Sequence, residues 1–300
     1  SEILARPRLA PPDPAEVKAR LELIPRNGTE RDGLELSMFY HPETEAEIRA
    51  LRTWFLERQR SGELDDLDAW IRMVATNRLT GHSPGFFSVY TLPPNQALTA
   101  AKQVEINRRR GQVPEYRDTR ALILKKTRQL LSGLDDDGRR NLSGAAPGAR
   151  FITGDARKTS ELESGSVGLT VTSPPFLDVV QYAADNWLRC WFCGLDAEEI
   201  GRGITMARTV EAWADTMQGV LRELFRVTCP GGHVAFEVGE VRKGTVRLEE
   251  VVLPLGIRAE FRPMGILVNE QAFTKTANIW GVDNNAKGTN SNRIALFEKS

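Results

Sequence analysis

Two periodicities share this chain of 300 residues. Through residues 15–131 apolar side chains recur every three to four positions, the spacing of one helix face. "PAEVKARLELI" opens at Pro14, where a proline suits a first helical turn. "TEAEIRALRTWFLERQ" sets Ile48, Leu51 and Trp54 or Phe55 on one stripe, and "DLDAWIRMVATNRL" and "RALILKKTRQLL" repeat the pattern. All four predict helices. "TGHSPGFFSVYTLPPNQ" is too rich in Gly and Pro for regular structure, yet it carries Phe86, Phe87 and Tyr90. Residues 1–14, ending in "APPDP", predict an extended, proline-stiffened lead-in. Residues 132–150, "SGLDDDGRRNLSGAAPGAR", read as a flexible linker.

From residue 151 the pattern changes to strand–helix alternation. "FITGD", "VGLTVTSPP", "HVAFEVGE", "GILVNEQAFT" and "NRIALFEK" predict strands. "VVQYAADNWLRCWFCGL" and "VEAWADTMQGVLRELFRV" predict helices. The second puts Trp213, Met217, Val220, Leu221, Leu224 and Phe225 on one face and stops at "CPGG". Such alternation predicts an α/β domain over residues 151–300, following a mostly helical region. Ligands of α/β sheets gather beyond the carboxyl ends of strands. Gly154–Asp155 and the "SPPF" at 173–176 both fall at such ends.

Composition narrows this little: 41% of residues are apolar and the formal charge is zero, as in an ordinary globular protein. Three cysteines cannot pair evenly, so a disulfide framework is not expected and a cytoplasmic location is. No apolar run is long enough for a membrane span. Charge is uneven, however. Acids crowd residues 43–68, whereas residues 102–128 hold nine Lys or Arg against three acids. That local excess suits phosphates, and it equally suits a solvated helix face.

In "TSPPF", proline fixes φ and removes the N–H, so Pro174 and Pro175 stiffen the turn and leave carbonyls free to accept. Ser173 adds a hydroxyl and Phe176 a flat ring. A planar group with an exocyclic amine fits: the amine donates to Ser173 Oγ and the Pro174 carbonyl while its ring stacks on Phe176. Base–aromatic stacking contributes about 1–3 kcal/mol. Two acceptors on one NH₂ pull its nitrogen toward tetrahedral geometry and free a lone pair. The alternative is a structural turn with Phe176 in the core.

The turn resembles the catalytic motif of the nucleic-acid amino-methyltransferases, an Asp, Asn or Ser followed by Pro-Pro and an aromatic. "TSPPF" is similar to the serine-led form typical of cytosine-N4 DNA methyltransferases. "FITGDARKTSELESGSVGLTVTSPPF" resembles their approach to it, "LRELFRVTCPGGHVAFEVGEV" the following helix–turn–strand, and "TKTANIWGVDNNAKGTNSNRIALFEK" their polar loop and last strand. The likeness covers the second half of the chain. It implies an α/β, class I (Rossmann-like) S-adenosylmethionine-dependent methyltransferase sheet. Its implied site has Ser173, Pro174, Pro175 and Phe176 as catalytic residues and Gly154 and Asp155 against the cofactor. It further implies a double-stranded DNA substrate with the target base rotated out of the duplex, and a cognate restriction endonuclease as partner.

"GHSPGFFSVYTLPPNQ" and "INRRRG" resemble the insert some of these enzymes carry. Lys102, Arg108, Arg109 and Arg110 are therefore the expected DNA contacts. The pattern departs in one place. No Phe-x-Gly-x-Gly turn follows a first strand; "GRG" at 201–203 follows a helix instead. The expectation is an incomplete sheet, with the cofactor turn lying upstream of residue 1 or on another chain. A non-catalytic DNA-binding subunit is the alternative, and methylation of RNA or of a protein amide another, although Asn usually leads those turns. Cys190-x-x-Cys193 lacks a second pair and reads as packed helix cysteines rather than a metal site. His41, His82 and His233 read as structural.

Overall fold

A computed structural model of the protein describes residues 2–28, 32–91, 98–175, 182–204, 207–241, 246–270 and 291–300. The chain divides into two compact units, one of Ser1–Phe151 with Tyr182–Ile200, the other of Ile152–Gln181 with Gly201–Ser300.

The first unit is helical. It holds α1 (Glu2–Ala5), a 3₁₀ turn (Arg6–Leu9), α2 (Pro14–Leu23), α3 (Pro42–Ser61), α4 (Asp66–Thr76), α5 (Ala100–Arg110), α6 (Thr119–Leu131), α7 (Asp136–Ala145) and α8 (Tyr182–Cys193). The lead-in is thus helical rather than extended. An Arg6–Glu2 pair braces it, and Pro7 sits in a first turn, where a missing N–H costs nothing. The segment expected as a linker carries α7, because Asp135 caps it by accepting from Gly138 N at 2.8 Å. Asp13 opens α2 with a capping box through Glu16, and His41 opens α3 by accepting from Glu43 N. Phe39, Tyr40, Ile48, Phe55, Ile71, Met73, Phe87 and Phe192 form one buried core.

The second unit is α/β. After β1 (Val167–Thr172) come α9 (Ala197–Gly203, which straddles the division), α10 (Val210–Val227), β2 (Thr228–Val241), β3 (Val246–Arg247), α11 (Leu248–Arg258), β4 (Arg262–Glu270) and β5 (Ser291–Glu298). The sheet runs β1-β2-β5-β4, with β3 beside β2. β1 is parallel to β2; β2–β5 and β4–β5 are antiparallel. One face, bearing Val234, Phe236, Val238, Ala295 and Phe297, packs on Trp213, Met217 and Leu221 of α10 and Leu248, Val252 and Leu255 of α11. On the other face Leu169 and Val171 are exposed.

"FITGD" is not a strand: residues 151–155 form irregular chain and a bend. A short apolar run becomes a strand only by pairing, and among the described residues nothing pairs with the outer edge of β1. The "CPGG" stop ends α10 as expected but lies inside β2. The extra residues there shift the register between Val167–Thr228 and Leu169–His233, and Gly231 takes a φ of 74°. That conformation favours glycine.

Candidate active site

The "TSPP" turn leaves the carboxyl end of β1, whose last pairing is Thr172 with Phe236 of the parallel neighbour β2. Ser173 is exposed and both prolines are half-buried. Trp213, near the start of α10 and 2% exposed, donates its indole N–H to the Pro175 carbonyl at 2.9 Å. This bond ties the turn to the helix beneath the sheet. It spends one carbonyl, and among the described residues no hydrogen bond engages the Ser173 hydroxyl or the Pro174 carbonyl. Two acceptors therefore stand free on a backbone that two pyrrolidine rings and an indole hold still. Phe176, the expected stacking ring, lies outside the described residues.

The sequence marked Trp213 only as one position of an apolar stripe. Its buried indole N–H needed a partner, and a partner-free carbonyl after Pro-Pro was the available one.

The approach to β1 is fastened to α10. Thr159 donates its backbone N–H and hydroxyl to Glu223 Oε1 at 2.7 and 2.6 Å. Arg226 pairs with the same carboxylate at 2.7 Å and donates to the carbonyls of Thr159 and Leu162. The Arg226 guanidinium and the Thr159 donors hold the Glu223 carboxyl down to about 2.

Gly154 and Asp155 sit in the same unit, exposed, in a turn closed by Lys158 N donating to Asp155 O. Both Asp155 oxygens accept from Arg157, the closest at 2.6 Å, which holds that carboxyl below its usual range. The arginine stem lies along α10, where a Cβ on Gly219 would come within 3.1 Å of Arg157 Cδ. A cofactor hydroxyl or amine at Asp155 would share the carboxylate with this guanidinium. Among the described residues no glycine-rich strand-to-helix turn joins it, so the described part of the second unit displays free acceptor groups but no cradle for a cofactor's methionine end.

In the helical unit, Lys102, Arg108, Arg109 and Arg110 are all exposed on α5, whose opposite face buries Gln103 and Ile106. Arg109 lies 3.7 Å from Glu105, and Arg110 covers the Tyr90 ring at 3.8 Å. Beside them opens a cleft of about 540 Å³ lined by His82, Tyr90, Arg110, Gln112, Val113 and Arg117, among others. The Arg117 guanidinium is fixed by the carbonyls of Ser83, Phe86 and Ser88.

Cys193 is buried in the helical core, 3.5 Å from the Thr76 hydroxyl, and burial pushes its thiol up. That is an inert environment rather than an activated one. His233 is exposed on β2, and His82 tilts against Phe86. No helix among the described residues is long and apolar enough to cross a membrane.

No protein-family model and no curated protein matches the chain. Among solved structures it is similar to a candidate DNA modification methylase from Thermus thermophilus, at 23% identity over 49% of this chain and 50% of that one, TM-score 0.30. The same protein, solved in complex with S-adenosyl-L-methionine, aligns at 22% identity over 49% and 53%, TM-score 0.32. A SAM-dependent methyltransferase from Methanosarcina mazei aligns at 12% identity over 55% and 79%, TM-score 0.28. The chain spans about half the length of the Thermus protein.

Proposed function

We propose that this chain carries the base-orienting part of an S-adenosylmethionine-dependent DNA amino-methyltransferase acting on an exocyclic amine, with cytosine N4 as its target. One observation carries the reading. At the carboxyl end of a parallel strand, Ser173 Oγ and the Pro174 carbonyl have no partner among the described residues, while the adjacent Pro175 carbonyl is locked by Trp213. The placement agrees with where α/β sheets bind ligands. The serine at the head of the turn favours cytosine over adenine, by the resemblance described above.

In this reading the base leaves the duplex, at a cost of a few kcal/mol. Its amino group donates one hydrogen to Ser173 Oγ and one to the Pro174 carbonyl, which fixes the nitrogen and directs its lone pair away from the turn. S-adenosylmethionine, when bound, supplies the electrophilic methyl group. Gly154 and Asp155 would meet it, and the described residues provide no further holder. The chain's own contribution is alignment, an effect worth up to about 7–11 kcal/mol in well-oriented systems. Lys102 and Arg108–Arg110 on α5 offer phosphate contacts to the duplex.

Product analysis tests this. DNA incubated with the protein and methyl-labelled S-adenosylmethionine, then digested to nucleosides, should carry the label in N4-methylcytosine. Label in N6-methyladenine overturns the base assignment. Duplex binding with no label transferred supports the second reading, a DNA-binding subunit, which the lack of a described cofactor cradle favours.

A further inference from the structure

Away from the turn and from α5, the helical unit holds a second cleft, of about 410 Å³, whose charge is one-sided. Arg8 from the 3₁₀ turn, Arg78 just past α4, Lys126 from α6 and Arg189 from α8 converge on it, over a floor of Met73, Val74, Asn77 and Leu130. None of the lining residues is acidic. Among the described residues none of the four cations forms an ion pair. Their hydrogen bonds go to neutral oxygens: Arg8 to the Leu4 carbonyl, Arg78 to the Asn77 carbonyl, Lys126 to Gln129 Oε1 and Arg189 to Asn186 Oδ1.

Arg8 is exposed, but the other three cations are partly withdrawn from water. Burial alone draws the Arg78 guanidinium below its usual range; burial and then the Arg78 charge do the same to Lys126, and burial does so to Arg189. Cations brought together and partly desolvated without a counter-charge repel one another and lose hydration. Elsewhere in this unit Arg20 meets Asp65 and Asp68, and Arg49 meets Asp32 and Glu45; Arg72 and Arg117 are held by neutral oxygens singly, whereas here four cations converge. Arg78 is also pre-set, stacked 4.1 Å over the Phe86 ring with its Nε held by Asn77. That leaves its terminal nitrogens facing no partner among the described residues. A guanidinium fixed in this way is suited to an oxyanion. The apolar side chains of the floor, Met73, Val74 and Leu130, strengthen any charge interaction above them.

We propose that this cleft is a phosphate-binding site, gripping a phosphoryl group among Arg8, Arg78, Lys126 and Arg189. A backbone phosphate of DNA is its occupant, a part of the proposal that rests on the reading given above. Free phosphate has the same chemistry and is separated from it by experiment.

The test uses the full chain and the double variant Arg8→Gln/Lys126→Gln, which removes two cations lacking ion pairs among the described residues. Wild-type protein should bind inorganic pyrophosphate in calorimetric titration and melt at higher temperature with it, whereas the double variant should do neither. Its melting temperature without anion should equal or exceed wild type, since repulsion is relieved. The salt slope of duplex binding should fall by about 0.9 for each DNA phosphate that the variant no longer neutralises. Pyrophosphate binding with an unchanged duplex slope overturns the DNA occupant and assigns free phosphate. Pyrophosphate binding by a chain with no duplex affinity contradicts the DNA reading while the phosphate site stands. Wild type and variant alike in titration, melting and slope overturn the site, whether or not duplex binds.

Discussion

A single indole N–H decides which carbonyls of the Pro-Pro turn remain available. Trp213 satisfies the Pro175 carbonyl, and among the described residues nothing engages the Ser173 hydroxyl or the Pro174 carbonyl. Replacing Trp213 with Phe keeps the apolar bulk but strips the donor. Leaving a half-buried carbonyl unmatched costs about 1–3 kcal/mol. Urea unfolding should show that loss, and methyl transfer should fall more than duplex affinity, because the turn loses its anchor while the exposed cations of α5 are untouched. Equal stability of Trp213→Phe and wild type would remove the indole from this role.

Glu223 makes a different, pH-dependent contribution. Its folded pKa of about 2 lies below the unfolded value of about 4.3. The stabilisation is therefore complete above the unfolded value and is lost as pH falls toward 2. Glu223→Gln should melt below wild type at neutral pH, and the gap should close through that acid window. Melting curves that stay parallel down to the acid limit would show that the Thr159–Arg226 cluster does not couple to folding.

At the scale of elements, α11 was a helix the sequence hid. Its apolar positions Leu248, Val252 and Leu255 have helical spacing, but Pro254 falls among them and reads as a breaker. Packing overrides that penalty: α11 buries these residues against β2 and β5. Gly256 shows how close the fit is, since a Cβ there would stand 2.2 Å from the Phe297 ring. An ordinary helix gains about 1 kcal/mol when Ala replaces an interior Gly. Here Gly256→Ala should instead destabilise by about 1–3 kcal/mol, the cost of overpacking, measurable by denaturant titration. A stabilised variant would mean that α11 does not sit on β5 as described.

Amphipathic elements such as α6 and α10 were legible because one face alone is buried, and the alternating runs of β2 and β5 for the same reason; α3 and α4 kept a helical period although they are buried on more than one face. "FITGD" misled because two apolar residues before a turn say nothing about whether a partner strand exists. α7 and α1 were hidden for the opposite reason. They bury no residue and are held by caps and short-range ion pairs, which leave no hydrophobic period. Trp213 was visible as a core residue, but its hydrogen bond depends on a turn 38 positions away in the chain.

Across the whole molecule, a net charge of zero means that any hold on a polyanion must come from local concentrations of cations. Two stand among the described residues of the helical unit: the exposed stripe of α5 and the acid-free cleft at Arg78. In the proposed reading, the α/β unit contributes the turn that meets an amine. Binding and chemistry thus draw on different residues, and the two can be separated experimentally.

Ser173→Ala separates them most directly. Methyl transfer to duplex DNA and duplex affinity should be measured side by side on the same preparations. Loss of one of two aligning hydrogen bonds to the amine should lower transfer about 100-fold while affinity stays within twofold of wild type. Transfer at the wild-type rate, or affinity falling in step with it, would contradict an amine-orienting serine.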